Sequence, residues 1–402
     1  MRDVLIEEAA LTCRELMVFT PPLVNGGGKG LSKAAEVAGK TAVEMFQAAA
    51  DGQIKALWIV CTNPAQSLPD QATVRRALER AEFVVLQEAF ATTATARYAD
   101  LLLPATTWGE KEGTVTNSER RITRVHAAVP APGQARHDWH IVVDLAKRLA
   151  QEPGVALHKE GLHMAYTSPE EIWVEHREST RGRDLDITGL SYAHLDQTPE
   201  QWPMPEGATH GQARLYEDGV FATTTGLAKF AALPYVPTAE VRESRFPFSL
   251  NTGRLRDQWH GMTRTGLVGK LFGHVSEPVV QLHPDDMARL GCVEGALVHV
   301  TSKRGSIVLP AQASADLGSH QAFIAMHWGA AFLSGRDHQN RPLAGVNAIT
   351  TSAYCPTSKQ PELKHAAVKV LKAELPWTLL AVAWVPEHQA HTLLQTLRAR
   401  MV

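Results

Sequence analysis

The stretch Ile54-Lys-Ala-Leu-Trp-Ile-Val-Cys-Thr-Asn-Pro64 is apolar from Ile54 to Val60 except at Lys55, then breaks into a short polar turn. An apolar run of that length, with no alternation of polar residues, predicts a strand covered on both faces, the condition of a strand inside a parallel sheet. The same rhythm repeats outward from it. Upstream, Thr41 to Ala50 has helical spacing and stops near Gly52. Downstream, Asp70 is placed to cap a helix whose apolar positions Val74, Ala77, Leu78 and Ala81 recur at helical intervals. Phe83 to Leu86 returns as a second strand and Leu101 to Leu103 as a third. Asp138 then opens a helix to about Leu149, with Val142, Val143, Ala146 and Leu149 facing in. Strand and helix in alternation predict an α/β domain built on a doubly wound parallel sheet.

Residues 151 to 240 hold proline, glycine and charge without a sustained period, apart from a helical patch at Pro169 to Glu178, and read as an excursion between domains. After Pro247 the pattern changes to short strands and tight turns: Phe248 to Leu250, Val279 to Leu282, Leu297 to Thr301, and Ser306 to Pro310 after the turn Lys303 to Gly305. Between them Pro284 to Leu290 fits a short helix, with proline in its first position and Gly291 at its end. A small β-barrel or sandwich is the expected second domain. The last 30 or so residues suggest a strand over Thr378 to Val385 and a basic helix ending at Val402.

At 402 residues and 44% hydrophobic content the chain can bury more than one core. Its 40 basic and 42 acidic residues nearly cancel, so bulk charge does not argue for a nucleic-acid partner. Cys13, Cys61, Cys292 and Cys355 lie far apart with no CxxC pair, against a zinc site or a disulfide scaffold, and read as reduced thiols. The apolar runs fall well short of the roughly 20 residues of a membrane span. No charged, apolar and small-residue leader opens the chain, and a cytoplasmic location is expected.

Three clusters carry candidate chemistry. Cys61-Thr-Asn-Pro64 follows a buried strand, where ligands of open α/β sheets bind, although an ordinary Asn-Pro turn is the plain alternative. Trp108-Gly-Glu-Lys-Glu-Gly-Thr-Val-Thr-Asn-Ser-Glu-Arg-Arg121 combines glycines, hydroxyls, an amide and two guanidinium groups. It suits a polyanion or a solvated charged loop about equally. Asn251-Thr-Gly-Arg254, Arg256-Asp-Gln-Trp-His260 and Met262-Thr-Arg-Thr-Gly266 gather Arg254, Arg256 and Arg264 at a strand end, the planar forks that suit phosphate or a small oxyanion. None of the three has GxGxxG spacing, so a nicotinamide cofactor is not indicated.

Taken together and in order, the clusters resemble the molybdopterin oxidoreductases of the DMSO reductase family. That family's G-T-N-P turn appears as Cys61-Thr-Asn-Pro64, its tyrosine-alanine-aspartate strand as Tyr98-Ala-Asp-Leu-Leu-Leu-Pro104, and its E-x-x-G-T-x-T-N-x-E-R-R block as Glu110 to Arg121. Asp138-Trp139 is similar to the family's guanine-reading acid. Residues 252 to 266 look most like assimilatory nitrate reductases, and Glu277-Pro278, His283-Pro-Asp-Asp286, Lys303-Arg-Gly305, Met326-His-Trp328, Asn347-Ala-Ile-Thr350 and Ser358-Lys-Gln-Pro-Glu-Leu-Lys364 follow in register. The resemblance spans roughly residues 30 to 372. It implies a Rossmann-like domain over 29–240, with the excursion at 151–240, and a six-stranded-type β-barrel dinucleotide-binding domain over 241–372. Residues 1–28 are unassigned and 373–402 form an extension.

The resemblance also implies the ligand. A bis(molybdopterin guanine dinucleotide) molybdenum cofactor would touch Thr62, Asn63, Pro64, Glu88, Gly113, Thr114, Asn117, Asp138, Thr252, Gly253, Arg254, Trp259, Asn347 and Lys364. His260, Thr263, Arg264 and Thr265 would lie nearest the molybdenum and its approach channel, and no metal ligand is assigned to this chain. The implied reaction is reduction of nitrate to nitrite with electrons from ferredoxin, flavodoxin or an NADH-dependent donor. A formate dehydrogenase-type oxidoreductase and a non-catalytic cofactor-binding fragment are the alternatives. The family's Cys-rich iron-sulfur motif and its cysteine ligand to molybdenum are not found, and Cys61 stands where the turn usually has glycine. The chain is therefore expected to be a C-terminal part, inactive alone, that works with a missing N-terminal half or companion subunit holding the iron-sulfur cluster.

Overall fold

The computed structural model describes residues 39–149, 151, 166–333, 335–341 and 345–374, with short pieces between 382 and 397. Residues 1–28 and most of the expected strand and helix after 378 lie outside the described residues.

Thr41 opens the first described helix, Ala42–Ala50: its N–H and its hydroxyl both donate to the Glu44 carboxylate, at 2.9 and 2.8 Å, in a capping box. Strands β1 (Ala56–Val60), β2 (Phe83–Glu88) and β3 (Leu101–Pro104) follow, side by side in that order in one sheet. The helix Gln71–Arg80 crosses between β1 and β2, and Val74, Ala77 and Leu78 bury against Phe46, Ala49, Leu57, Ile59, Val84 and Leu86. β1 and β2 are thus the largely buried strands the apolar run at residues 54–60 predicts, while β3 at the edge leaves Leu101 and Leu102 exposed. Asp70 occupies the expected cap position in a left-handed conformation, φ 46°. Its carboxylate, however, accepts from the Thr73 hydroxyl at 2.9 Å, not from a backbone amide.

The described chain divides into two compact units, one holding 87–89 and 103–235, the other 40–86, 90–102 and 236 onward. In the former, β4 (Gly113–Thr116) and β5 (Arg121–Val125) form an antiparallel hairpin, and β6 (Glu200–Gln201) adds to β5. The segment read as an aperiodic excursion builds a core here. Ile122 packs with Trp173, Ile187, Leu190, Tyr192, Leu195 and Met204. The helix Pro169–Ser179 brings in Trp173, and its N-cap Ser168 accepts from the Glu171 amide. The helix Asp138–Leu149 buries Ile141, Val143, Ala146 and Leu149.

The other unit holds β7 (Phe248–Gly253), β8 (Val280–Leu282), β9 (Leu297–Ser302), β10 (Gly305–Ala313), β11 (Gln321–Ala325), β12 (Gly335–Asp337) and β13 (Ala366–Lys372). The pairing runs β10-β8-β11-β7-β13-β9, and β9 pairs back onto β10, so six strands close into a barrel with β12 appended on β10. The pairs β10–β8 and β11–β7 are parallel and the others antiparallel. Along β9 and β10 buried and half-buried residues alternate, which is what a closed sheet around a filled interior demands. Leu250, Val280, Leu282, Val298, Val300, Ile307, Leu309, Ile324 and Val368 fill it at 0 to 1% exposure, each contributing about 1.5 to 3 kcal/mol by leaving water. The helix Pro284–Leu290 begins at Pro284 and ends on Gly291 at φ 65°, as expected.

Candidate cofactor-binding site

The turn after β1 is shaped by its own amides. Cys61 sits in the left-handed region at φ 53°, the conformation for which glycine is the usual choice. Asn63 then uses both ends of its side chain locally. Its Oδ1 accepts from the Thr95 amide at 3.1 Å and the Thr95 hydroxyl at 2.7 Å, and its Nδ2 donates to Gln66 Oε1 at 3.2 Å. Pro64 is buried at the start of the short helix Pro64–Ser67, and Thr62 is exposed.

Gln66, which no sequence pattern singled out, is the strut of this region. Its Nε2 donates to the carbonyl of Gly261 at 3.2 Å and of His327 at 3.1 Å. Gly261 and Gly329 lie against the same amide so closely that a Cβ on either would stand 2.8 or 2.5 Å from it. Asn347, 6% exposed, donates from Nδ2 to the carbonyl of Ser67 at 2.8 Å. The turn after β1, the loop after β7, the segment after β11 and the turn at 345–350 are thereby joined.

Three of the residues expected at the dinucleotides, Asn63, Thr252 and Asn347, therefore frame the site from within. Thr252 is 2% exposed, and its hydroxyl donates to the Leu363 carbonyl at 2.7 Å. The exposed set is cationic and aromatic: Arg254, Trp259, His260, Arg264 and Lys364. The Arg254 guanidinium lies over the Trp259 ring at 5.5 Å, and Trp259 meets His260 edge-on at 4.7 Å. Thr265 accepts from the Trp259 amide at 3.3 Å, so it closes the loop, while Thr263 is half-buried and Gly253 ends β7. Partial burial of the ring, and after it the Arg254 and Arg264 guanidinium groups, hold the His260 imidazole below its ordinary pKa.

The remaining expected residues belong to the other unit. Asp138 stands in the first turn of its helix, where its Oδ1 accepts from Gln87 Nε2 at 2.8 Å and its Oδ2 from Lys111 Nζ at 2.8 Å. Its side chain stays 30% exposed. Gln87 is fully buried at the end of β2, and its Oε1 finds no partner among the described residues. A buried amide oxygen without a donor, beside a partly exposed carboxylate, is a donor-seeking pair of the kind an amide- and amine-bearing base such as guanine would satisfy. Glu88 follows, its Oε1 accepting from the Ala89 amide at 2.7 Å. Asn117 organises the β4–β5 turn: its Oδ1 accepts from the amides of Glu119 and Arg121 at 2.9 and 3.0 Å. Gly113 and Thr114 are paired in β4 opposite Val125 and Arg124. Arg120 and Arg121, candidates for holding a polyanion, instead donate to main-chain carbonyls of Trp202, Ala213 and Pro199. The block folds as an antiparallel hairpin in which these two guanidinium groups tie the turn to the following segment.

Among the described residues no helix is long and apolar enough to cross a membrane. Residues 17–148 match the profile of the molybdopterin oxidoreductases, and residues 248–367 that of the molydopterin dinucleotide binding domain. The nitrate reductase of Klebsiella oxytoca is 37% identical over 354 residues, covering 85% of this chain and 38% of that protein. The assimilatory nitrate reductase catalytic subunit of Bacillus subtilis is 34% identical, covering 83% and 44%. The F420-dependent formate dehydrogenase subunit alpha of Methanocaldococcus jannaschii is also 34% identical, covering 79% and 43%. The chain thus spans less than half the length of these relatives. The solved structure of the acetylene hydratase from Pelobacter acetylenicus superposes with a TM-score of 0.61 over 82% of this chain and 46% of that one, at 18% identity, and so shares its fold. With an α/β sheet and a closed six-stranded barrel, both matched in sequence, this chain belongs to the molybdopterin oxidoreductase family.

Proposed function

We propose that the chain grips a bis(molybdopterin guanine dinucleotide) cofactor as part of an assimilatory nitrate reductase. The observation that carries this reading is the exposed loop after β7, where the Arg254 guanidinium lies over the Trp259 ring at 5.5 Å, Trp259 meets His260 edge-on at 4.7 Å, and Arg264 follows four residues on. Such a loop suits pyrophosphate and a small planar oxyanion alike. Arg254, Trp259 and Lys364 would hold the phosphates and Thr62 the edge of the pterin. Asp138 and Gln87, with Lys111 and Glu88 beside them, would take the guanine. The cofactor, when bound, supplies two-electron oxygen-atom transfer. The chain's own part is to orient that cofactor, exclude its neighbours and draw in the anion. His260, whose pKa burial and then the two guanidinium groups lower, would present a ring N–H that can donate to nitrate. Thr263 and Thr265 shape the approach, and Arg264 steers.

The equal 34% identity to the M. jannaschii formate dehydrogenase subunit supports formate oxidation as the second reading. The test is turnover by the complete enzyme purified from its own cells, with reduced viologen and nitrate in one assay and oxidised viologen and formate in the other. Nitrite formation without formate oxidation supports the proposal; the reverse transfers the chain to the second reading. Release of GMP on mild acid hydrolysis tests the guanine form of the cofactor separately.

A further inference from the structure

His327, on the segment just after β11, has 0% exposure and makes two hydrogen bonds of opposite sense. Its Nε2 lies 2.9 Å from the amide nitrogen of Leu255 and its Nδ1 lies 2.6 Å from the carbonyl oxygen of His260. An amide N–H can only donate and a carbonyl can only accept. The ring must therefore carry its proton on Nδ1 and a lone pair on Nε2, a single neutral tautomer set by its partners. The two partners are the two ends of the Leu255–His260 loop. That loop has no helix or strand of its own, and His260 and Met262 at its end are in left-handed conformations, φ 46° and 59°. Gln66 adds a second tie, holding the His327 and Gly261 carbonyls together.

We propose that His327 is a positioning residue: a buried two-ended imidazole clasp that fixes the loop carrying Trp259 and His260 and thereby the shape of the cationic surface they share with Arg254. What the loop presents rests on the function proposed above; that His327 locks it does not. Protonation of Nε2 would set N–H against N–H and open the Leu255 end. The charged or titratable groups facing the ring are Arg254, His260 and Lys364, all of which oppose a positive charge there.

The two ends of the clasp can be cut separately. In His327→Gln the amide can reach the Nε2 position and still accept from Leu255. In His327→Asn it reaches only the Nδ1 position and can still donate to His260. Amide hydrogen exchange on the full chain, read by NMR, should show the Leu255 amide protected in wild type and in His327→Gln. In His327→Asn it should exchange roughly tenfold faster, the equivalent of one ordinary hydrogen bond, while the barrel amide of Val300 is unchanged. Nitrogen-15 shifts of the His327 ring should report the Nδ1–H tautomer. Equal exchange of Leu255 in the two variants, Leu255 exchange that merely follows Val300, or an Nε2–H tautomer would each overturn the proposal. Loss of nitrate turnover alone would not bear on it.

Discussion

Cys61 offers a clean measurement, because it stands in the left-handed region at φ 53°, a conformation that favours glycine, in the turn whose resemblance implies glycine at that place. A side chain there clashes with the neighbouring carbonyl, at a cost of about 1 to 2 kcal/mol. Glycine escapes that clash but loses about 0.5 to 1 kcal/mol more in conformational entropy on folding. Cys61 is exposed, so no burial is forfeited by removing its side chain. The balance for Cys61→Gly is a gain of roughly 0.5 to 1 kcal/mol, or about 1 to 4 °C in Tm for a unit of this size. Cys61→Ala removes the thiol and keeps the Cβ, so it separates chemistry from conformation and should leave stability within about 0.5 kcal/mol of wild type. Urea unfolding of the full chain, followed by circular dichroism, measures both. If alanine stabilises as much as glycine, or glycine destabilises, strain at the turn is not what distinguishes this sequence from its relatives.

Gly329→Ala should destabilise by about 1 to 3 kcal/mol, since its Cβ would meet Gln66 at 2.5 Å. In a Gln66→Ala background most of that cost should vanish, which a double-mutant cycle reads directly. Asp138→Ala in the complete enzyme should weaken guanine-dinucleotide retention at least tenfold, about one charge-assisted bond, measured as GMP released per chain; full retention would leave Asp138 only as the anchor of Gln87 and Lys111. Arg264→Lys should raise the KM for nitrate and leave molybdenum content intact, because lysine keeps the charge and loses the fork; molybdenum loss with an unaltered KM would reassign Arg264 to a cofactor phosphate. His260 and His327 both have pKa values lowered below the ordinary 6.5, chiefly by burial. Their neutral forms stabilise the fold at pH above 6.5, and that contribution should drain away as pH falls from 6.5 through the depressed folded values, where the unfolded chain binds protons the folded one refuses. His327→Gln should flatten this slope in a stability-against-pH series.

The parts of this molecule that can be read from residues alone are those in which one period decides. Ile54 to Val60 has no polar interruption but Lys55, and Val74, Ala77 and Leu78 recur at helical spacing, so β1 and the helix Gln71–Arg80 follow. The strands β7 to β10 are bounded by turn residues such as Lys303 to Gly305. Gln321–Ala325 and Ala366–Lys372 are equally apolar but short, and a short apolar run does not tell strand from helix. They become strands because β7 offers a free edge to each, parallel to one and antiparallel to the other. That is a fact of closure and not of local sequence.

The site divides in the same way. Motifs name residue types, and the types at Asn63, Thr252 and Asn347 are those a ligand would want, yet each already has an internal partner. Gln66, Gln87 and His327 carry no periodic signal. The one local hint for Gln66 is its place three residues after Asn63 on the same short helix, where the two amides meet. A polar side chain's direction is settled by which main-chain groups the fold would otherwise leave buried and unpaired, and those are known only once four separated segments converge. Convergence also explains why the exposed cations come from a loop with no regular structure. The buried amides and the buried imidazole take over the hydrogen bonding that a helix or strand would have supplied. Arg254, Trp259 and His260 are then held out toward solvent on a backbone too irregular to be predicted, and too well tied to be loose.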